Sequence, residues 1–278
     1  MILKYVSSRG KEINLIAGKI HTTRSSDFHQ YEWSMNTTEL TYGTKIESFK
    51  KSALSFNAEF VLNGKHSVID PIADNIREEF EYDVCNQQIG RVYWNEWYLP
   101  CYVVSSSTSE YGRNYLEMKV KIYAPYPFWL RERTYTIDAK ESARSIGGKK
   151  YSYTYDYTYG KRNVNYITID SLKASNFKLS AHGPFTSFSL SIGGNKYEID
   201  YEANANEYIV IDSRNYLDFT KKCYLQHVDG STVNVFDYRS AKNEIFKKIE
   251  PGTHNIAFSG TGEVTITIYE ERSEPLWT

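Results

Sequence analysis

LEMKVKIYAPYPFWL, residues Leu116 to Leu130, decides the fold. In its first half Leu116, Met118, Val120, Ile122 and Ala124 alternate with Glu117, Lys119, Lys121 and Tyr123. Successive side chains on a strand point to opposite faces, so this spacing predicts a strand with one face buried. Pro125 and Pro127 lack the N–H that a ladder needs, which ends the strand there. Phe128, Trp129 and Leu130 follow as an unbroken apolar run, as expected where one domain stops and another docks. The chain therefore reads as two β-rich halves, 1–130 and 131–278.

Working back toward the N-terminus, Leu54, Phe56, Ala58, Phe60 and Leu62 repeat the alternation, and Asn63-Gly64 closes that strand with a turn signal. Asp70-Pro71 reads as a helix N-cap followed by proline at the first helical position. Ile72, Ile76 and Phe80 then form an apolar stripe, so the spacing predicts a helix over 71–82. Residues 89–105 read as a hairpin whose Asn95-Glu96 tip lies between Trp94 and Trp97. Asp27 to Trp33 reads as an aromatic loop. Phe28, Tyr31, Trp33, Tyr93, Trp94, Trp97 and Tyr98 are thus candidate contacts to another subunit or partner. Large rings gain stability only where they are covered, either within their own domain or by a neighbour, and the sequence leaves both readings open.

Beyond the hinge, Tyr151, Tyr153, Tyr155, Tyr157 and Tyr159 project to one face if their segment is extended. Such a row could stack on sugar rings or on a protein, or cover a sheet of its own domain. The remainder is a series of short strands with turn signals at Gly193-Gly194-Asn195, Asp229-Gly230 and Pro251-Gly252, the spacing of a sandwich or barrel.

Composition agrees with sheet: 25 of 278 residues are tyrosine and 15% are aromatic. With 33 basic and 34 acidic residues the formal net charge is −1, which gives no footprint for gripping nucleic acid. Three cysteines without a CxxC pair argue against a disulfide framework and for a reducing compartment. The N-terminus has no signal-peptide core, and no run approaches the roughly 20 apolar residues of a membrane span. A soluble protein without membrane insertion is expected. No GxSxG, HExxH, P-loop or dinucleotide fingerprint is present, and the six histidines lack metal-ligand spacing. The residues point to no catalytic set, metal or cofactor.

Taken in order, GKEINL, VIDPIADNIREEFEY, WYLPCYVVS and the APYPFW closure, followed by EYIVIDS, IFKKIEPGTHNIAF and a final strand to Arg272, span nearly the whole chain. The chain in this respect resembles the distal tail protein (Dit) family of long-tailed, non-contractile phages. Each motif is weak alone; their order carries the likeness. The resemblance implies a mainly β, two-domain protein. Its N-terminal β-sandwich or barrel, with one α-helix and a long hairpin, makes a ring. A galectin-like or carbohydrate-binding-module-like β-sandwich hangs outside. It further implies a non-enzymatic virion component of the tail tip, made in the host cytoplasm and assembled as a homo-hexamer. The implied partners are the tail tube protein, the tape measure protein, a tail-associated lysin or tip protein, and a receptor-binding protein. DNA would pass through the channel without specific binding. The alternative expectation is a carbohydrate- or receptor-binding module of a phage or prophage particle.

Overall fold

A computed structural model describes residues 1–23, 26–138, 166–216, 220–259 and 262–277. The chain divides into two compact units, one of residues 1–131 together with the segment from Arg272 onward, the other Glu132–Glu271. The tyrosine row at 151–159 lies outside the described residues.

In the first unit, β1 (Leu3–Val6) and β2 (Glu12–Asn14) form the opening hairpin and β3 (Ile20–Thr22) follows. Next come β4 (Ser34–Glu39), β5 (Thr44–Lys50), β6 (Leu54–Asn63), α1 (His66–Cys85), β7 (Gly90–Trp94), β8 (Trp97–Gly112), β9 (Tyr115–Ala124) and β10 (Trp129–Asp138). Strand β8 is long enough to serve two sets of partners. Its start pairs with β7 and, at Tyr98, with Leu130 of β10; its remainder pairs with β9. Strands β2, β1, β7 and β8 run in that spatial order, and β9, β6 and β3 continue from the far part of β8.

Strand β9 carries the alternation from Leu116, and it stops at Ala124, before Pro125. Its apolar face pairs in register with that of β6: Phe56 opposite Ile122, Ala58 opposite Val120, Phe60 opposite Met118. All six side chains are buried in one core with the α1 stripe Ile69, Ala73, Ile76 and Phe80. Burying each of the larger ones contributes about 1.5–3 kcal/mol.

The helix begins earlier than the sequence indicates. Lys65 occupies the N-cap, Pro71 lies inside the helix, and Asp70 caps nothing. Proline inside a helix leaves the carbonyl one turn back without its amide partner. The first turn is instead secured from outside. The two ring nitrogens of His66 lie 3.0 Å from Asp70 Oδ1 and 2.7 Å from the Gly112 carbonyl, and its ring stacks on Tyr111. The Gly112 and Tyr111 contacts come from the β8–β9 hairpin tip, which local spacing does not reveal.

The second unit contains the continuation of β10 and then β11 (Tyr166–Ile169), β12 (Asn176–His182), β13 (Phe188–Ile192), β14 (Asn195–Ile199), β15 (Tyr208–Asp212), β16 (Lys222–Gln226), β17 (Thr232–Asn234), β18 (Gly252–Ser259) and β19 (Glu263–Arg272). One sheet has the order β17-β16-β15-β12-β19, the other β11-β18-β13-β14. Their inner faces, among them Phe177, Leu179, Ile209, Ile211, Leu190 and Ile266, form one buried core. This is a β-sandwich. Gly193 and Gly194 both adopt positive φ, as the tight β13–β14 turn requires.

Candidate functional site

The aromatic candidates separate into buried and exposed sets. Phe28, Trp94, Trp97 and Tyr98 are buried inside the first unit. Phe28 packs edge-on against Phe56, and Trp94 meets Phe28, His29 and Trp277. Over the Trp97 ring lie the guanidinium groups of Arg131, at 4.8 Å, and Arg272, at 5.7 Å. The cover that these rings need is therefore supplied by their own unit, partly by the returning segment after Arg272. Of the two readings the sequence leaves open for Trp94 and Trp97, the geometry favours cover within their own unit. Tyr93 is half-buried against Tyr98, while Tyr31 and Trp33 are exposed.

Tyr31 and Trp33 instead gather with the hinge that ends the APYPFW stretch. Lys51 Nζ lies 4.5 Å from the Phe128 ring centroid, 5.5 Å from that of Trp33 and 5.7 Å from that of Tyr31. Phe128 in turn meets Trp33 and Tyr126. A lysine among three ring faces is held by cation–π attraction. Trp33 immediately precedes β4 and Lys51 immediately follows β5, so this cluster clamps the root of the β4–β5 ribbon.

That ribbon is what a linear reading misses. Among the described residues, strands β4 and β5 pair only with each other, and every residue in both is exposed. Met35 lies opposite Phe49 and Thr37 opposite Ile46, with a register shift between Asn36 and Thr37. The extra residue is Glu47, a bulge that brings Ile46 and Phe49 onto one face despite their odd spacing. Met35, Ile46 and Phe49 thus form an apolar face, 57%, 49% and 57% exposed. The other face carries Asn36 and Ser48, hydrogen-bonded at 3.0 Å, together with Ser34, Thr38, Lys45 and Lys50. Leu40 and Tyr42 project near the tip. The bulge hides the amphipathic pattern from a strict period of 2; the Tyr42-Gly43 turn between polar strands was the available signal.

A second exposed surface is the solvent face of the β8-β9-β6 sheet. There Asn57, Lys121 and Ser105 form one row and Glu59, Lys119 and Ser107 the next. Lys119 is bonded to Glu59 at 2.7 Å. The face carries serine hydroxyls beside both lysines, and Lys119 is neutralised by Glu59.

Below the surface, polar groups join α1 to the opening hairpin. Buried Asp83 accepts from the Tyr5 hydroxyl at 2.5 Å and the Ser8 amide at 3.0 Å. Burial drives the Tyr5 hydroxyl pKa far up, with Asp83 adding to the effect. Buried Glu79 accepts from Arg9 and pairs with Lys11 at 3.2 Å. Burial pushes the Glu79 carboxyl up, but hydrogen bonds from Arg9, Ser7 and Lys11 outweigh it and hold its pKa below the ordinary value. Burial raises the thiols of Cys101 and Cys223 to about 12, so neither supplies a thiolate nucleophile at neutral pH. Among the described residues no group of three or more His, Cys, Asp or Glu side chains could hold a metal ion. Among them, too, no helix is long and apolar enough to cross a membrane.

No protein-family model matches the chain, and no curated protein matches it. Solved structures do. A chain of the phage P2 baseplate in its activated conformation with calcium superposes with a TM-score of 0.62 at 12% identity, covering 99% of this chain and 100% of that one. The SPP1 Dit protein, described as a paradigm of the hub adsorption apparatus in phages infecting Gram-positive hosts, gives 0.55 at 12% identity, covering 98% and 100%. The baseplate with strontium gives 0.60 at 12% identity. The chain has the fold of phage Dit and baseplate hub proteins along nearly its whole length.

Proposed function

We propose that this chain is a structural hub subunit of a long, non-contractile phage tail tip, acting by assembly and not by turnover. Six copies close a ring that joins the tail tube to the tail-associated and receptor-binding proteins and leaves a channel for DNA. The observation that carries this reading is the β4–β5 arm. A two-stranded ribbon is marginal in water without a packing partner. This one is rooted by the Lys51 cluster and turns Met35, Ile46 and Phe49 outward. Docking that face on the next subunit buries it, and ring closure repeats the contact until no edge is left. The β8-β9-β6 solvent face suits a channel wall: of its two lysines in adjacent rows, Lys119 is neutralised by Glu59 and Lys121 lies between Asn57 and Ser105, so it offers no continuous basic track for phosphates. The composition, with net charge −1, supports passage without capture.

Negative-stain electron microscopy of the purified full chain tests the reading. Closed rings with six-fold averages are expected. A uniform population of monomers at the highest attainable concentration, with no ring upon addition of tail tube protein, would remove it.

A further inference from the structure

Within the second unit a cleft of about 760 Å³ opens along β16 and β17. Lys222 and Tyr224 of β16 line one side, Asn234 of β17 lies directly opposite Tyr224, and Lys221, Phe236 and Phe246 close the rest. Paired residues on adjacent strands project from the same face, so the Tyr224 phenol and the Asn234 amide point out side by side. Asn234 Oδ1 accepts from the Phe236 amide at 2.9 Å, which orients the side chain and leaves its NH₂ as the remaining donor group. The Phe236 and Phe246 rings are stacked, 5.6 Å apart at 12°. Arg239 lies 3.7 Å over Phe236 and Lys221 Nζ lies 5.5 Å from the Phe246 centroid. The stacked rings therefore hold two cations in place through their faces. No carboxylate lines the cleft itself among the described residues; Asp212, opposite Lys222 on β15, is held by Arg214 at 2.6 Å.

We propose that this cleft binds an anionic saccharide, one carrying phosphate or carboxylate groups on a polyol backbone. The chemistry matches the lining group by group. Lys221 and Lys222 supply charge-assisted donors to the anion. Tyr224, Thr232 and Asn234 offer the mixed donors and acceptors that sugar hydroxyls need. The ring edges of Phe236 and Phe246 form an apolar wall for C–H groups. A nucleic acid fits less well, because two lysines in a short cleft make too few phosphate contacts to hold it. The inference stands independently of ring formation, since all its residues lie in the second unit.

Saturation-transfer NMR and calorimetry on the full chain test it with four probes: a poly(glycerol phosphate) oligomer, oligogalacturonate, a dextran oligosaccharide and oligothymidylate. Saturable binding of at least one of the two anionic saccharides is expected, weakening as salt rises, with no binding of dextran. Lys221→Ala with Lys222→Ala should weaken it about tenfold or more. Asn234→Ala should weaken it less, and Lys196→Ala, on the other sheet of the sandwich, should leave it unchanged. These variants alter exposed side chains and leave both phenylalanines in place, so the fold is preserved. The proposal is overturned if neither anionic saccharide binds, if dextran or oligothymidylate binds as tightly, or if the double lysine variant binds like the parent.

Discussion

Two aromatic regions of the first unit have opposite fates. Around the β7–β8 tip, Trp94 and Trp97 are enclosed by Phe28, His29, Trp277, Arg131 and Arg272. On the β4–β5 arm, Met35, Ile46 and Phe49 are left exposed by the described residues. The first region spends its apolar surface on stability. The second keeps its surface for a partner. An abundance of large rings is thus a poor guide to where a protein is gripped; the better guide is apolar area that the folded chain leaves outside, on an element too thin to bury it.

The contrast can be broken by substitution, and the largest effect is expected at Trp97. Trp97→Ala should cost about 3–5 kcal/mol of stability, as truncation of a buried aromatic does, read by urea denaturation. A loss below about 1 kcal/mol would return Trp97 to the exposed set. Next is Asp83→Ala, which leaves the buried Tyr5 hydroxyl without its acceptor. About 1–3 kcal/mol should be lost, and an unchanged urea midpoint would show that Asp83 does not tie the helix to the opening hairpin.

Smaller effects sharpen the arm's side of the contrast. Lys51→Met keeps the hydrocarbon stem but removes the cation from Tyr31, Trp33 and Phe128. A cost of about 0.5–1 kcal/mol is expected, with faster amide exchange confined to β4 and β5. Exchange rising evenly across the unit would contradict a local clamp.

The smallest effect concerns His66. Hydrogen bonds to Asp70 and then to the Gly112 carbonyl raise its pKa, and both partners accept, so the charged imidazolium is favoured. A raised folded value means that the contribution is full below the unfolded histidine value of about 6.5. It is lost as pH rises through the folded value. An NMR titration should show His66 titrating above an ordinary histidine, with the Tyr111 ring signals moving in step. A midpoint at or below the ordinary value would contradict the joint.

Much of this was legible in the sequence. The alternation in β6 and β9, the stop at Pro125 and the β13–β14 turn each depend on local geometry, and the structure follows them. The helix start was not legible, because His66 is held by Tyr111 and Gly112, distant in sequence. Nor was the segment from Arg272 onward, whose return to the first unit depends on stacking such as Trp277 on His29. The arm was hidden by one residue, Glu47, which shifts the phase of β5 and scatters a real apolar face across both parities of the sequence. The Dit-like order of motifs was readable where no family model matches, and the fold agrees with it at 12% identity.

The most direct measurement is sedimentation velocity on the parent and on the arm variant Met35→Ser, Ile46→Ser, Phe49→Ser, with a thermal melt of each. If the arm is the grip between copies, the parent sediments as a ring and the variant as a monomer, while the stability of the variant's monomer stays within about 0.5 kcal/mol of the parent's, as for exposed sites. A variant that assembles like the parent, or that simply unfolds, would place the grip elsewhere.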